Sequence, residues 1–277
     1  MLKEVLMKSK RIFYLFLALA LGIFDQVFNI INYDYLDNFF RKFSSDVNFT
    51  AMMGSLIEFI VFALVFYFVF KDNPLLNKID KNYNRKSLKW YEIILISLGL
   101  AGLTGIWFFV VDKFLVQIPY VKNSLDTFNK AMDLGTNSGA NYVISIIYGA
   151  VLAALMEELL FRGIFHNSIK ILTKNRKAAI ILTGLLFGVW HGILVQGIYA
   201  AIGGVIFSYI YERTGKLSVT IAIHFLNNFL STVVEDLNNL MPGIYDAFDI
   251  LCFIMVPILI YYLYKIRPED NFKEISE

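Results

Sequence analysis

Apolar residues gather in eight windows, near 12–32, 52–70, 91–111, 141–165, 178–194, 197–211, 217–233 and 247–264, separated by polar connections. Most are long enough, at about 1.5 Å per residue, to cross the roughly 30 Å hydrocarbon layer of a bilayer. The sixth is marginal by length, and only a turn near Gln196 and Gly197 divides it from the fifth. The pattern predicts an all-α, polytopic membrane bundle of about eight helices, forming one membrane domain over 1–277. Residues 112–140 make the longest connection. There Tyr120, Leu125, Phe128 and Met132 are spaced to line one face of an amphipathic helix lying on the membrane surface.

The first window follows Lys3, Lys8, Lys10 and Arg11, an arrangement that imitates a signal peptide. It continues to about Ile31, too long for a signal core, and offers no small-residue cleavage site. It is expected to be the first membrane helix.

Composition agrees with this reading. Only 17% of the residues are charged, against 57% hydrophobic, which is too few for a surface that meets water on all sides. A net charge of +2 gives no reason to expect nucleic acid as a partner. The lone cysteine, Cys252, lies in an apolar run and is expected to pack there rather than to pair or ligate.

The positions of the charges say more than their sum. With the N-terminus inside, 20 of the 25 Lys and Arg residues fall on the cytoplasmic side of an eight-span chain, and 5 on the other. Positive residues are retained on the cytoplasmic face. Both termini are therefore expected in the cytoplasm.

Three segments break the apolar pattern. The fourth window carries Glu157, Glu158 and Arg162, the fifth Phe187 and His191, and the seventh His224 and Asn228. Ionisable groups at membrane depth cost several kcal/mol unless they find a partner or a water-filled cavity. Glu158 and Arg162 are four apart and share a helix face, so they can pair. Glu157 points about 100° away, free for another task. Phe187 lies one turn before His191 and can wall it with a ring, and His224 and Asn228 share a stripe. Counting from Lys170 and Lys177 places Glu157 and His191 roughly 20 Å from the cytoplasmic charges. The cavity they share is expected to open to the cytoplasm.

These parts suit hydrolysis of an amide bond without a nucleophilic Ser or Cys. Arg162 would hold Glu158 ionised, leaving Glu157 to take a proton from water, with His191 orienting that water. His224 and Asn228 are donors of the kind that stabilise an oxyanion. Asp25 and Glu58, in the first two windows, have no comparable company and are expected to lie near the membrane interface or to serve helix pairing. His166 belongs to none of these motifs and is assigned no role.

EExxxR, FxxxH and HxxxN, in that order on successive membrane helices, resemble the CAAX-protease and bacteriocin-processing family, also called Abi. Glu157, Glu158 and Arg162 match the first motif, Phe187 and His191 the second, and His224 and Asn228 the third. The resemblance covers about 141–232, the expected catalytic core. It implies an intramembrane endopeptidase in which Glu157 and His191 activate water, His224 and Asn228 form the oxyanion site, and Glu158 and Arg162 shape it. A peptide or protein substrate and the lipid bilayer are the implied partners. Peptide maturation or bacteriocin self-immunity are the roles of bacterial relatives, and a bacterial plasma-membrane protein is expected. The metal-free mechanism is favoured over zinc, for which two histidines and the glutamates are the available ligands. The other readings of the same residues are a non-enzymatic immunity or binding protein on the same fold, and a proton or ion pathway. The oligomeric state is left open.

Overall fold

The computed structural model describes residues 2–31, 35–44, 47–81, 83–133, 143–144 and 146–268. All regular structure among these residues is helical. We number the helices α1 (Leu2–Ile31), α2 (Val47–Val65, prolonged by a wider π turn over Phe66–Phe70), α3 (Pro74–Asp80), α4 (Trp90–Val110, prolonged over Val111–Leu115) and α5 (Pro119–Asp133). They continue as α6 (147–173), α7 (Arg176–Trp190), α8 (Leu194–Thr214), α9 (Leu217–Leu240) and α10 (Ile244–Lys265). A single turn, Asp37–Phe40, lies between α1 and α2.

Six segments are long and apolar enough to cross a membrane, namely Ser9–Ile31, Phe49–Phe70, Trp90–Leu115, Leu194–Thr214, Leu217–Val234 and Ile244–Lys265. Their outward faces expose large apolar side chains such as Phe16, Ile23, Phe68, Phe109, Phe253 and Ile260. An unbroken apolar exterior of this kind is solvated by lipid. The protein is a multi-pass membrane protein.

The remaining two apolar windows depart from a plain span. The fourth becomes α6, in which π stretches Ile147–Leu152 and Leu159–His166 alternate with α stretches Ala153–Glu158 and Asn167–Thr173. Such wide turns are rare and concentrate at functional sites. The fifth becomes α7, whose 15 residues measure about 22 Å. The start of the fourth window and residues 134–140 of the long connection lie outside the described residues. The connection does form a helix over Pro119–Asp133, with Phe128 packed on Phe108 and Tyr199.

Two apolar clusters hold the bundle. One joins Ala18 and Leu21 of α1, Phe62 of α2 and the 159–165 stretch of α6 with Phe187 and Ala200. The other joins Ile96 and Leu100 of α4, Phe207 and Ile210 of α8, Ile223 of α9 and Leu259 of α10. Helix α8 contributes to both. Its contact with α7 is very close, because a side chain on Gly184 would collide with Val205 and one on Gly188 with the Gly197 carbonyl. Membrane helices draw together through small residues of this kind. The approach fixes where α7 delivers Phe187 and His191.

The basic connections meet at one end of the bundle. Glu212 of α8 accepts from Lys170 at 3.0 Å and pairs with His166 at 2.8 Å and with Arg176. Asp80 of α3 receives Arg176 and Arg85, each at 2.8 Å, and Lys170 at 3.2 Å. Lys86 N–H donates to the Arg213 carbonyl, and the Arg213 guanidinium donates to that of Ile266. Cys252 is buried against Gly102, where α4 meets α10.

Candidate active site

The motif residues converge where the two apolar clusters meet. Glu158 is the last residue of an α stretch of α6, and Arg162 follows four positions later in a π stretch. Arg162 Nη1 donates to Glu158 Oε1 at 2.8 Å, and both side chains are completely buried. Nη2 donates to the Gly204 carbonyl of α8 at 3.1 Å. The guanidinium is sandwiched between the Phe187 and Phe207 rings, 4.7 and 5.0 Å from their centroids. The fork, the carbonyl and the two rings fix this cation, as only a planar guanidinium allows.

His224 of α9 completes the clamp. Its Nδ1 lies 2.9 Å from Glu158 Oε1, and its ring stacks on Phe207 with centroids 5.1 Å apart. An Nδ1–H donated to the carboxylate leaves Nε2 facing Glu157 Oε2 at 3.6 Å, just beyond hydrogen-bond reach. One histidine thus spans the two adjacent glutamates. Their environments differ sharply: the Glu158 side chain is shut off from solvent, whereas that of Glu157 is 29% exposed.

His191 caps the C-terminus of α7. Its Nδ1 lies 2.8 Å from the Phe187 carbonyl, which only accepts, so Nδ1 carries the proton and Nε2 presents a lone pair. The Phe187 ring stands edge-on to the imidazole at 4.8 Å, the wall that the FxxxH spacing predicts. Glu157 Oε2 faces His224 Nε2 across that 3.6 Å gap. Asn228 differs from the simplest picture. Its amide donates to the Gly149 carbonyl of α6 at 3.2 Å, which occupies one of its two N–H groups.

Asp25 and Glu58, expected near the interface or in helix pairing, are buried within electrostatic reach of the motif residues or of each other. Asp25 is 7% exposed and Glu58 1%. Asp25 accepts from Gln26 Nε2 at 3.2 Å, faces the Trp190 indole beside His191, and lies within electrostatic reach of Glu157. Glu58 is coupled to Asp25, and its Oε1 is buried without a hydrogen-bond partner. The signal that finds them is depth. Asp25 follows Arg11 by fourteen residues and Glu58 precedes Lys71 by thirteen, the same roughly 20 Å that locates Glu157. His166, assigned no role, is fully buried in the ionic cluster around Glu212.

Among the described residues no three His, Cys, Asp or Glu side chains converge as metal ligands require. Each site histidine has its Nδ1 engaged, one with a carbonyl and the other with Glu158, and presents Nε2 on its other side.

Comparison with known proteins places these motifs. Residues 139–230 match the family described as type II CAAX prenyl endopeptidase Rce1-like. This segment is similar to that family. It contains Glu157, Glu158, Arg162, Phe187, His191, His224 and Asn228, so the matched stretch and the convergent side chains coincide. The chain is also 31% identical over 103 residues to the uncharacterized protein YyaK of Bacillus subtilis (strain 168). That match spans about a third of each protein, 34% of this chain and 34% of YyaK. No solved structure matches.

Proposed function

We propose that this protein is an intramembrane endopeptidase that hydrolyses a peptide bond with water activated by Glu157. The observation that carries the reading is the unequal treatment of two neighbouring carboxylates. Glu158 is neutralised by Arg162 and His224 in a sealed setting, while the Glu157 side chain is 29% exposed and its Oε2, itself buried, has no hydrogen-bond partner. The first is a structural anion and the second a base. The Rce1-like character of 139–230 supports the same chemistry.

In this mechanism the Glu157 carboxylate takes a proton from water as the oxygen adds to the scissile carbonyl carbon. The His191 Nε2 lone pair accepts the water's other hydrogen and fixes its orientation. The carbonyl π electrons move onto oxygen, and the oxyanion is held by the second Asn228 N–H and by Nε2–H of His224, which acts in this step as the doubly protonated imidazolium with its Nδ1–H kept on Glu158. Collapse expels the amine, which takes the proton from Glu157. The carboxyl product keeps the water oxygen, and Glu157 returns to its starting state. The Glu158–Arg162 pair moves no proton; it positions His224.

The charge distribution supports an eight-crossing arrangement with both termini in the cytoplasm, α6 and α7 supplying the two crossings beyond the six long apolar segments. The substrate is a peptide or protein, and a part in peptide maturation or bacteriocin self-immunity fits such an activity. The test uses purified protein and a panel of membrane-associated peptides. Glu157→Gln and His191→Ala abolish cleavage while the protein stays folded. Undiminished cleavage in both sinks the mechanism. Cellular protection that survives both substitutions assigns the fold to a non-enzymatic immunity protein instead.

A further inference from the structure

His191 sits where α7 ends, and the end of a helix is where its backbone is least well held. The residue closes α7 at φ −70° and ψ −17°, and Gly192 after it turns into the left-handed region at φ +68°. The His191 N–H reaches the Gly188 carbonyl at 3.3 Å, and the Gly192 N–H reaches that of Val189 at 3.2 Å, both long bonds. The Nδ1 bond to the Phe187 carbonyl fixes the imidazole relative to α7. It does not fix the last turn of α7 relative to the rest of the bundle. That hold must come from other helices, since a misplacement of about 1 Å at a catalytic group costs about a hundredfold in rate.

Trp190, the residue before His191, is gripped from two of them. On α6, the Phe161 ring stands edge-on to the indole at 5.8 Å and edge-on to Phe187 at 4.9 Å. On α1, Gly22 and Asp25 are three residues apart and share a face. Gly22 lets α1 come close: a Cβ there would stand 3.2 Å from Cη2 of the indole and 3.0 Å from the Phe165 ring. One turn along, the Asp25 carboxyl faces the indole N–H, a group that donates and cannot accept. Gln26 Nε2 steadies that carboxyl by donating to Oδ2 at 3.2 Å. The side chains with which Asp25 interacts are Gln26, Trp190, Glu58 and Glu157, and none of them is a cation. Asp25 is therefore not one half of an ion pair. What its oxygens do in this position is accept, from Gln26 and from the indole.

We infer that Asp25 is a positioning residue for His191: by holding the Trp190 indole against Gly22 and Phe161, it fixes the last turn of α7 and with it the imidazole. The role of His191 rests on the endopeptidase reading, whereas the anchoring of Trp190 by α1 belongs to the fold. A carboxyl here has two ways to act, through its charge on Glu157 or through the hydrogen bond to Trp190, and asparagine separates them. Asparagine loses the charge but keeps an oxygen for the indole, and its amide donates to Gln26, whose own amide rotates to present oxygen.

The anchor is readable without catalysis, because the chain has only three tryptophans and three histidines. The full chain, labelled with 15N in detergent micelles, gives one indole N–H signal per tryptophan, with that of Trp190 assigned by Trp190→Phe. Asp25→Leu suits an apolar helix but removes the acceptor. It is expected to shift the Trp190 signal, to abolish its protection from solvent exchange, and to replace the single Nδ1–H tautomer of His191 with a mixture. Asp25→Asn keeps both the protection and the tautomer. In peptide cleavage per folded molecule, Asp25→Leu and Trp190→Phe each lower kcat by about ten- to a hundredfold with KM within about twofold. Asp25→Asn returns kcat to within about threefold of the parent, and Asp25→Leu combined with Trp190→Phe is no slower than the slower single variant. An Asp25→Asn protein as slow as Asp25→Leu overturns the proposal, since charge is then what acts. An Asp25→Leu protein with parental kcat, or with an unshifted and protected indole, overturns it as well. A parent that cleaves no peptide while the spectra change as expected refutes the endopeptidase reading and leaves the anchor in place.

Discussion

Replacing Arg162 by methionine tests the clamp on which the site is built. The change keeps an unbranched side chain of similar length but removes the charge and the hydrogen bonds to Glu158 and to the Gly204 carbonyl. Glu158 stays behind in a setting closed to water, with His224 as its remaining partner. Removing one member of a buried ion pair costs about 3–5 kcal/mol, mostly through the stranded charge. The abandoned Gly204 carbonyl adds to that figure only in part, because both losses relax together. Neutralising the stranded partner recovers much of the cost: Glu158→Gln with Arg162→Met is expected to be more stable than Arg162→Met alone by about 2 kcal/mol. Arg162→Lys restores the charge but not the fork or the stacking between Phe187 and Phe207, and falls between the two. Unfolding titrations with a denaturing detergent in mixed micelles measure each value, and peptide cleavage at saturating substrate reports the site. A loss below about 1 kcal/mol for Arg162→Met, or a double variant no more stable than it, refutes the clamp.

The catalytic pair behaves differently, since Glu157 is part exposed and bonded to nothing rigid. Glu157→Gln is expected to lower kcat by at least about a hundredfold, with stability within about 0.5 kcal/mol of the parent. Gly188→Val forces α7 from α8 at the Gly197 carbonyl, costing about 1–3 kcal/mol and displacing His191, so stability and cleavage fall together. Gly102→Ala meets the Cys252 carbonyl between α4 and α10, away from the site. It lowers stability but leaves cleavage per folded molecule unchanged, and a matching fall in kcat contradicts the assignment of His191 to the α7–α8 contact. Chelator treatment with elemental analysis is expected to leave cleavage intact; stoichiometric zinc whose removal abolishes activity overturns the metal-free mechanism.

How much of this was legible follows a physical division. Contacts within one helix are set by spacing, so the Glu158–Arg162 pair and the Phe187 wall against His191 are readable from four-residue intervals. Contacts between helices are not. The bond from His224 to Glu158 joins residues 66 apart, and that from Asn228 to Gly149 joins residues 79 apart. Both depend on how α6 and α9 are rotated, which the π stretches of α6 change and no spacing rule reports. The tautomer of His191 depends on a carbonyl freed at the end of α7, a boundary that hydropathy alone places beyond Trp190.

Six of the eight apolar windows become long regular helices, and the fourth and fifth do not: α6 is widened around its glutamates and α7 stops at the histidine. Depth, by contrast, is additive along any helix. Counting from the nearest basic residue places Asp25, Glu58, Glu157 and His191 in one layer before any packing is known. Applied to Glu157 and His191 alone, the count yields a site; applied to every buried carboxylate, it also brings α1 and α2 to that site.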